Sequence, residues 1–307
     1  MTESKGFCQA IGQWRGTAEV YDGQGRFLAN GVDQRHVRPD EDDDQRVRID
    51  LSFTGPFKFA GHYYIDDRGN DRVYQGPINV GFAESLGDNG VTADNYWASV
   101  GLTQRFFLMV LPGGTKQLSL ALLDRGDRPV YAVVGENDRV AACATELAAP
   151  PAPSFLDGGA HDLGGDPAGG RGGILLQRSG QWTGTLMAVD DARVPLPSAD
   201  YQEDVSLSEG VIRVRQVGGS FAPEPAETTL RTDGYAAWSH SGNLVGSYSL
   251  SGGRAMSGHF HRLREELRVW RREVVAHDGS LKAVVHEWYR GGRRVGTQYG
   301  VLEFDPR

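Results

Sequence analysis

The sequence is poor in cysteine: Cys8 and Cys143 are the only two among 307 residues. Two are too few for a disulfide scaffold, so the chain has to build an ordinary apolar core. Both sit near the ends of the first half, and the first and last strands of a closed barrel are neighbours, so a bridge and two free thiols are both open. A cytoplasmic setting favours free thiols. No uninterrupted apolar run approaches the roughly 20 residues of a membrane-spanning helix, so no membrane span is expected. The opening MTESKGFCQAIGQW lacks a charged stretch leading into an apolar one. No secretion signal is read there, and the cytoplasm is the default location.

Positive charge is also short, with 32 Lys and Arg against 40 Asp and Glu. The resulting net charge of −8 argues against a nucleic-acid partner, which needs a basic face to displace counterions from phosphates. Residues 262–272 are locally Arg-rich, but Glu265, Glu266 and the following Glu273 interleave with the arginines. That pattern reads as a solvated strand face. No glycine-rich phosphate loop joins a strand to a helix, so no nucleotide cofactor is expected. Long helical periodicity is missing as well; short helices near residues 1–11 and 168–178 are the only candidates.

What the chain has in quantity is glycine, 42 residues, with 14 prolines and many short apolar runs. That combination predicts an all-β protein rich in turns. Residues 148–173 are dominated by Ala, Gly and Pro and offer little that could offset the entropy of ordering a backbone. They are read as a flexible linker between domains at 1–147 and 174–307.

Each domain opens alike: Gly12-Gln13-Trp14-Arg15-Gly16-Thr17 in the first, Gly180-Gln181-Trp182-Thr183-Gly184-Thr185 in the second. A repeat of this kind implies two copies of one fold. Residues 47–53 alternate as a half-buried strand does, and 106–111 form a continuous apolar run that suits a deeper one. Residues 117–123 and 129–134 flank a turn, as do 269–276 and 281–289, and 211–217 and 297–304 alternate too. Successive antiparallel strands joined by tight turns predict up-and-down barrels, which remove exposed edges by closing.

The paired Gly-x-Trp-x-Gly openings resemble the first-strand signature of the calycins, the superfamily of lipocalins and fatty-acid-binding proteins. The resemblance implies two tandem lipocalin-like antiparallel β-barrels, with Trp14 and Trp182 packed across the barrel bottoms and the glycines letting the strand bend. The later strands of the second half are similar to those of lipocalin-like phycobiliprotein chromophore lyases. Arg268, Asp278-Gly279 and Glu287 occupy the places of their basic strand, hairpin and closing carboxylate. The first half matches less well, since 106–111 replaces the basic strand. Two-domain lipocalin-like folds among carotenoid hydratases and natural-product cyclases enter as architectural analogy only.

Several residues are candidates for chemistry. His62, flanked by aromatics in Phe59-Ala60-Gly61-His62-Tyr63-Tyr64, can give or take a proton near neutrality, with Tyr64 beside it. His259 and His261 share a strand face, and with His286-Glu287 they raise the thought of a metal site. The spacing is not diagnostic, and no metal is expected. His240 follows a serine, but no Gly-x-Ser-x-Gly elbow frames it, so a hydrolase triad is not read. Asp40-Glu41-Asp42-Asp43-Asp44 lacks the ligand ladder of an EF-hand and reads as a solvated hairpin loop.

The remaining signal is aromatic side chains at strand positions: Tyr63, Tyr64, Phe82, Tyr96, Trp97, Phe106 and Phe107, then Trp238, Tyr248, Trp270 and Trp288. In a barrel they either fill the interior or line a site for an apolar small molecule. The expected function is a cofactor-independent cyclase or isomerase that encloses an apolar, conjugated intermediate in one barrel or at the junction. Folding a flexible polyene and polarising it with one donor can suffice for such chemistry. His62, Tyr64, Glu84, His240, His259 and Glu287 are its candidate polar groups. The alternative is a non-catalytic carrier of a lipid, pigment or tetrapyrrole.

Overall fold

The computed structural model describes residues 8–43, 46–54, 59–66, 72–76, 79–98, 100–140, 178–208, 211–239 and 243–306. They form two closed antiparallel β-barrels, and among them a 3-10 turn at Cys8–Ala10 is the only helical element. The first barrel comprises β1 (Gly12–Asp22), β2 (Phe27–Pro39), β3 (Arg46–Phe53), β4 (Phe59–Asp66) and β5 (Arg72–Gln75). It continues with β6 (Asn79–Leu86), β7 (Gly90–Trp97), β8 (Leu102–Val110), β9 (Lys116–Arg125) and β10 (Arg128–Val140). The second comprises β11 (Gly180–Asp190), β12 (Pro195–Ser208), β13 (Val211–Gly218), β14 (Ala226–Thr232) and β15 (Ala236–Ser239). It is completed by β16 (Leu244–Ser251), β17 (Ala255–Arg262), β18 (Leu267–Val275), β19 (Leu281–Arg290) and β20 (Arg293–Pro306). The expected linker at 148–173, Cys143 and most of the proposed helix at 168–178 lie outside the described residues, and so does His240.

In each barrel every strand pairs with its neighbour in sequence, and the first strand closes onto the last. Trp14 faces Arg139 across β1 and β10, and Trp182 faces Phe304 across β11 and β20. The repeat at the two openings has a steric cause. A Cβ on Gly16 would stand 1.8 Å from the Glu136 carbonyl oxygen, and one on Gly184 would stand 2.6 Å from that of Val301. Only glycine lets the closing strand come that near.

Two alternating faces follow from the pleat. In the first barrel Trp14, Arg35, Ile49, Tyr63, Ala93 and Phe106 point inward. The run at 107–111 is buried on both faces, Leu108 inside and Phe107 and Met109 outside, and half-buried Phe106 points inward. The hairpin between β18 and β19 turns at Gly279, whose φ of 72° lies in the left-handed region. Asp278 Oδ1 accepts from the Ser280 amide at 2.9 Å and fixes that turn.

Two expectations change. Asp40 is not a solvated loop residue; its side chain is 4 % exposed and pairs with Arg46. The Arg-rich strand is not a solvated face either, because Arg262, Arg271 and Arg272 are all buried. Burial of charge on that scale needs partners: Arg272 pairs with Glu287 on the next strand, Arg262 with Glu265 and two backbone carbonyls, and Arg271 with Glu203 across the barrel.

Candidate functional site

One end of the first barrel is plugged. Trp14 lies across the floor, its Nε1 donating to the Ala10 carbonyl at 2.8 Å, and Ala10 packs into the same apolar cluster as Val37, Ile65, Val91 and Leu108. Arg139 stacks on the Trp14 ring at 4.3 Å and donates to the carbonyls of Gln9 and Ile11. Near the other end a separate cluster gathers Leu51, Tyr63, Trp97, Leu102 and Leu123.

A cavity is lined from both clusters. Val37, Ile49, Ile65, Val91, Ala93 and Leu108 form its lower wall, and Leu51, Phe53, Tyr63, Trp97 and Phe106 its aromatic upper part. The space left for atom centres is about 70 Å³. A single water needs roughly 10–15 Å³ on that measure, so the cavity suits a small organic molecule better than one ordered water. Ten strands enclose a wider lumen than the eight that side chains or one small ligand can fill.

Four polar groups enter this largely apolar wall: Arg35, Asn95, Gln104 and the hydroxyl of Tyr63. Arg35 Nε donates to Asp33 Oδ1 at 3.0 Å while its Nη2 pairs with the other carboxylate oxygen. The two charges therefore compensate one another inside the wall. Gln104 Oε1 accepts from the Trp97 indole at 2.8 Å. Asn95 is 3 % exposed, and its Oδ1 is buried without a hydrogen-bond partner.

The second barrel fills the matching space differently. Trp182 faces Glu203 as Trp14 faces Arg35, so interior positions correspond along the two ladders. Phe106 matches Arg271, Leu108 matches Glu273, Gln117 matches Lys282 and Ala121 matches His286. These charged groups bond to one another. Lys282 Nζ lies 2.8 Å from both Glu203 Oε1 and Glu273 Oε2. Arg271 pairs with the same two carboxylates, and His286 Nε2 is 3.0 Å from Glu273 Oε1. Around them Tyr201, Tyr248, Phe260, Val284 and Trp288 belong to one continuous apolar cluster with Trp182.

Burial alone would push the Glu273 carboxyl up, but Arg271, Lys282 and His286 outweigh it and hold it well below the ordinary carboxylate range. Burial acts on Glu203 likewise and is overcome by Arg271 and Lys282. Burial, helped by the Arg271 charge, pulls the His286 imidazole down despite Glu273, so it is neutral at pH 7. The network thus sets two cations against two carboxylates with a neutral imidazole.

The structure divides the sequence-derived candidates by the period-2 pleat. Tyr63, Trp97 and Phe106 line the cavity. His62 and Tyr64 flank Tyr63 and so point out of the barrel, their rings 5.3 Å apart. Phe82 and Tyr96 are 63 % and 50 % exposed on the outer face, where interior positions had been expected. Glu84 faces Thr92 on the side opposite Ala83 and Ala93, also outside. In the second barrel Tyr248 and Trp288 are interior and packed, Trp288 Nε1 donating to Gln298 Oε1 at 3.0 Å. Trp238 and Trp270 flank inward-facing Ala237 and Val269 and point outward. His259 stacks on Trp270 at 5.6 Å, and Glu287 pairs with Arg272 and accepts from Tyr289, all on the outer face.

None of the described catalytic candidates lines the cavity. The groups that do, Arg35, Asn95 and Gln104, were not singled out from sequence. Strict alternation back from Trp97 reaches Asn95 and Ala93, and that signal could have found one of them.

The chain matches no family model and no curated protein sequence. Among solved structures it is similar to a protein of unknown function from the DUF3598 family of Nostoc punctiforme. That likeness covers 97 % of both chains at 15 % identity with a TM-score of 0.60, and it concerns the fold alone. An S-type phycobiliprotein lyase from Guillardia theta matches 45 % of this chain and 92 % of its own at 10 % identity and a TM-score of 0.34. A redesigned β-barrel bound to DFHBI matches 44 % of this chain and 100 % of its own at 14 % identity and a TM-score of 0.25. Scores that low carry no argument about either fold or function.

Proposed function

We propose that the first barrel binds a small, largely apolar and conjugated molecule in its interior, while the second is a filled scaffold. The observation that carries the reading is the cavity between the Trp14 and Trp97 clusters, walled by Tyr63, Trp97 and Phe106 with few polar groups. Concave, mostly apolar sites with a few convergent polar atoms are where small ligands bind. The calycin resemblance belongs with this proposal. The buried Trp14 floor and the close approach at Gly16 support it.

Carriage is favoured over cyclisation or isomerisation. Arg35 and Tyr63 are the titratable groups among the described lining residues, and Arg35 is already compensated by Asp33. Titration of the full chain with small neutral aromatics, read by tryptophan fluorescence, tests the reading. Saturable quenching that Ala93→Phe removes supports it, and no quenching by any compound would overturn it. Chromatography of the recovered ligand separates carriage from turnover: unchanged compound means a carrier, a rearranged isomer an enzyme.

A further inference from the structure

The polar groups in the cavity wall differ in what they still ask of a ligand, and this deepens the proposed function, on which it rests. Arg35 is not a bare cation awaiting an anion. Asp33, fully buried, meets it through both carboxylate oxygens, and Ser119 Oγ lies 3.4 Å from Nη2. An anionic ligand would bring a second negative charge beside Asp33 into a water-poor lumen, where desolvation is costly. Gln104 Oε1 is likewise taken by the Trp97 indole.

Asn95 is different. It is more than nine-tenths buried, it lines the cavity, and its Oδ1 has no hydrogen-bond partner. Gly81, directly opposite on β6, makes room for the carboxamide: a Cβ there would lie 2.5 Å from Oδ1. A buried acceptor left unmatched is costly, and buried polar groups in native proteins are almost always satisfied. The position that matches Asn95 in the second barrel is Phe260, buried in the apolar cluster there. At this position the second barrel has no amide.

From these observations we infer that the ligand is a neutral aromatic or conjugated molecule carrying one hydroxyl or N–H group, which donates to Asn95 Oδ1. The apolar body lies between Phe106, Trp97 and Tyr63, and the charge-compensated Arg35–Asp33 pair discriminates against carboxylates.

Three naphthalenes of similar size test this on the full chain by calorimetric or fluorescence titration: 1-naphthol as donor, 1-methoxynaphthalene without a donor, and 1-naphthoate as an anion. The expected order is 1-naphthol tightest, with 1-methoxynaphthalene about three- to ten-fold weaker, as the loss of one buried hydrogen bond implies. 1-Naphthoate is expected to be weaker still. In Asn95→Leu the preference for the hydroxyl collapses to within two-fold while 1-methoxynaphthalene binds at least as well as before. Equal binding of 1-naphthol and 1-methoxynaphthalene by the unaltered protein would overturn the inference but leave the cavity reading standing, and so would tightest binding of 1-naphthoate. If none of the three binds, the binding reading itself fails. The ligand comparison needs no variant, so it stands even if Asn95→Leu folds poorly.

Discussion

The two barrels share an opening motif, a strand count and a register, yet their interiors are lined differently. At the level of Phe106 and Leu108 the first barrel sets the Arg35–Asp33 pair beside apolar side chains and leaves a cavity, whereas the second places Arg271 and Glu273 there within a continuous buried cluster. The second barrel uses long charged side chains whose reach spans the lumen, Lys282 and Arg271 from one side meeting Glu203 from the other. In the first barrel Arg35 makes the corresponding reach to Ser119, but Phe106, Leu108, Gln117 and Ala121 stand where the second carries Arg271, Glu273, Lys282 and His286. Among the described residues the two copies of the fold thus differ in how their interiors are lined, and the difference is set at four or five inward positions.

The largest effect expected from breaking this contrast is in the second barrel. Glu273→Ala would leave Arg271, Lys282 and His286 buried beside a single carboxylate, and removal of one partner of such a network costs about 3–5 kcal/mol. Chemical denaturation of the full chain reads it. A cost below about 1 kcal/mol would mean the charges are not bonded as described.

Filling the hollow barrel should behave in the reverse way. Ala93→Phe adds a ring where the wall has room, so its stability cost is expected to stay under about 1 kcal/mol, less than the roughly 1–3 kcal/mol of overpacking a solid core. Binding of neutral aromatics should fall at least ten-fold. A large destabilisation with binding intact would show that the cavity lies elsewhere.

Acid should separate the barrels next. His286 has a folded pKa below its ordinary 6.5, so the unfolded state takes the proton first. Stability is fully present above 6.5 and falls as pH drops towards the folded value. Glu203 and Glu273 are also held below their ordinary 4.5, so their contribution is present above 4.5 and is lost as pH falls through their folded values. Thermal melts from pH 8 to 3 should show two successive declines, and His286→Gln should abolish the upper one only. An unchanged upper decline in that variant would place its origin outside the network.

The smallest effects are expected at residues that sequence singled out and the pleat turned outward. His62→Ala and His259→Ala, on exposed outer faces, should shift stability by less than about 0.5 kcal/mol and leave aromatic binding unaltered. Loss of binding in either would bring the outer face into the site.

The tandem barrels were legible because Gly16 and Gly184 answer to a local steric demand that leaves a fixed motif in the chain. Part of the cavity was legible as well, since Tyr63, Trp97 and Phe106 are aromatic residues on recognisable strands. Tyr96 and Trp97 cannot both face inward, however, and composition alone does not choose between them; alternation does. Which barrel is hollow was hidden for a different reason. Arginines in a strand ordinarily face water, and what buries Arg271 is Glu203, 68 residues away on a strand brought near only by barrel closure. A pairing of that kind leaves no pattern at short range. Asn95 was hidden because a lone amide in a strand has no signature until its surroundings are known.

The central claim, one hollow barrel and one solid one, is tested most directly by the tryptophan indole N–H signals in a heteronuclear NMR spectrum of the full chain, assigned by single Trp→Phe changes, as 1-naphthol is added. Trp97 lines the cavity, and Trp182 and Trp288 lie in the filled core. The account predicts a saturable shift of the Trp97 signal with those of Trp182 and Trp288 unmoved. Movement of the Trp288 signal while Trp97 stays still would contradict it.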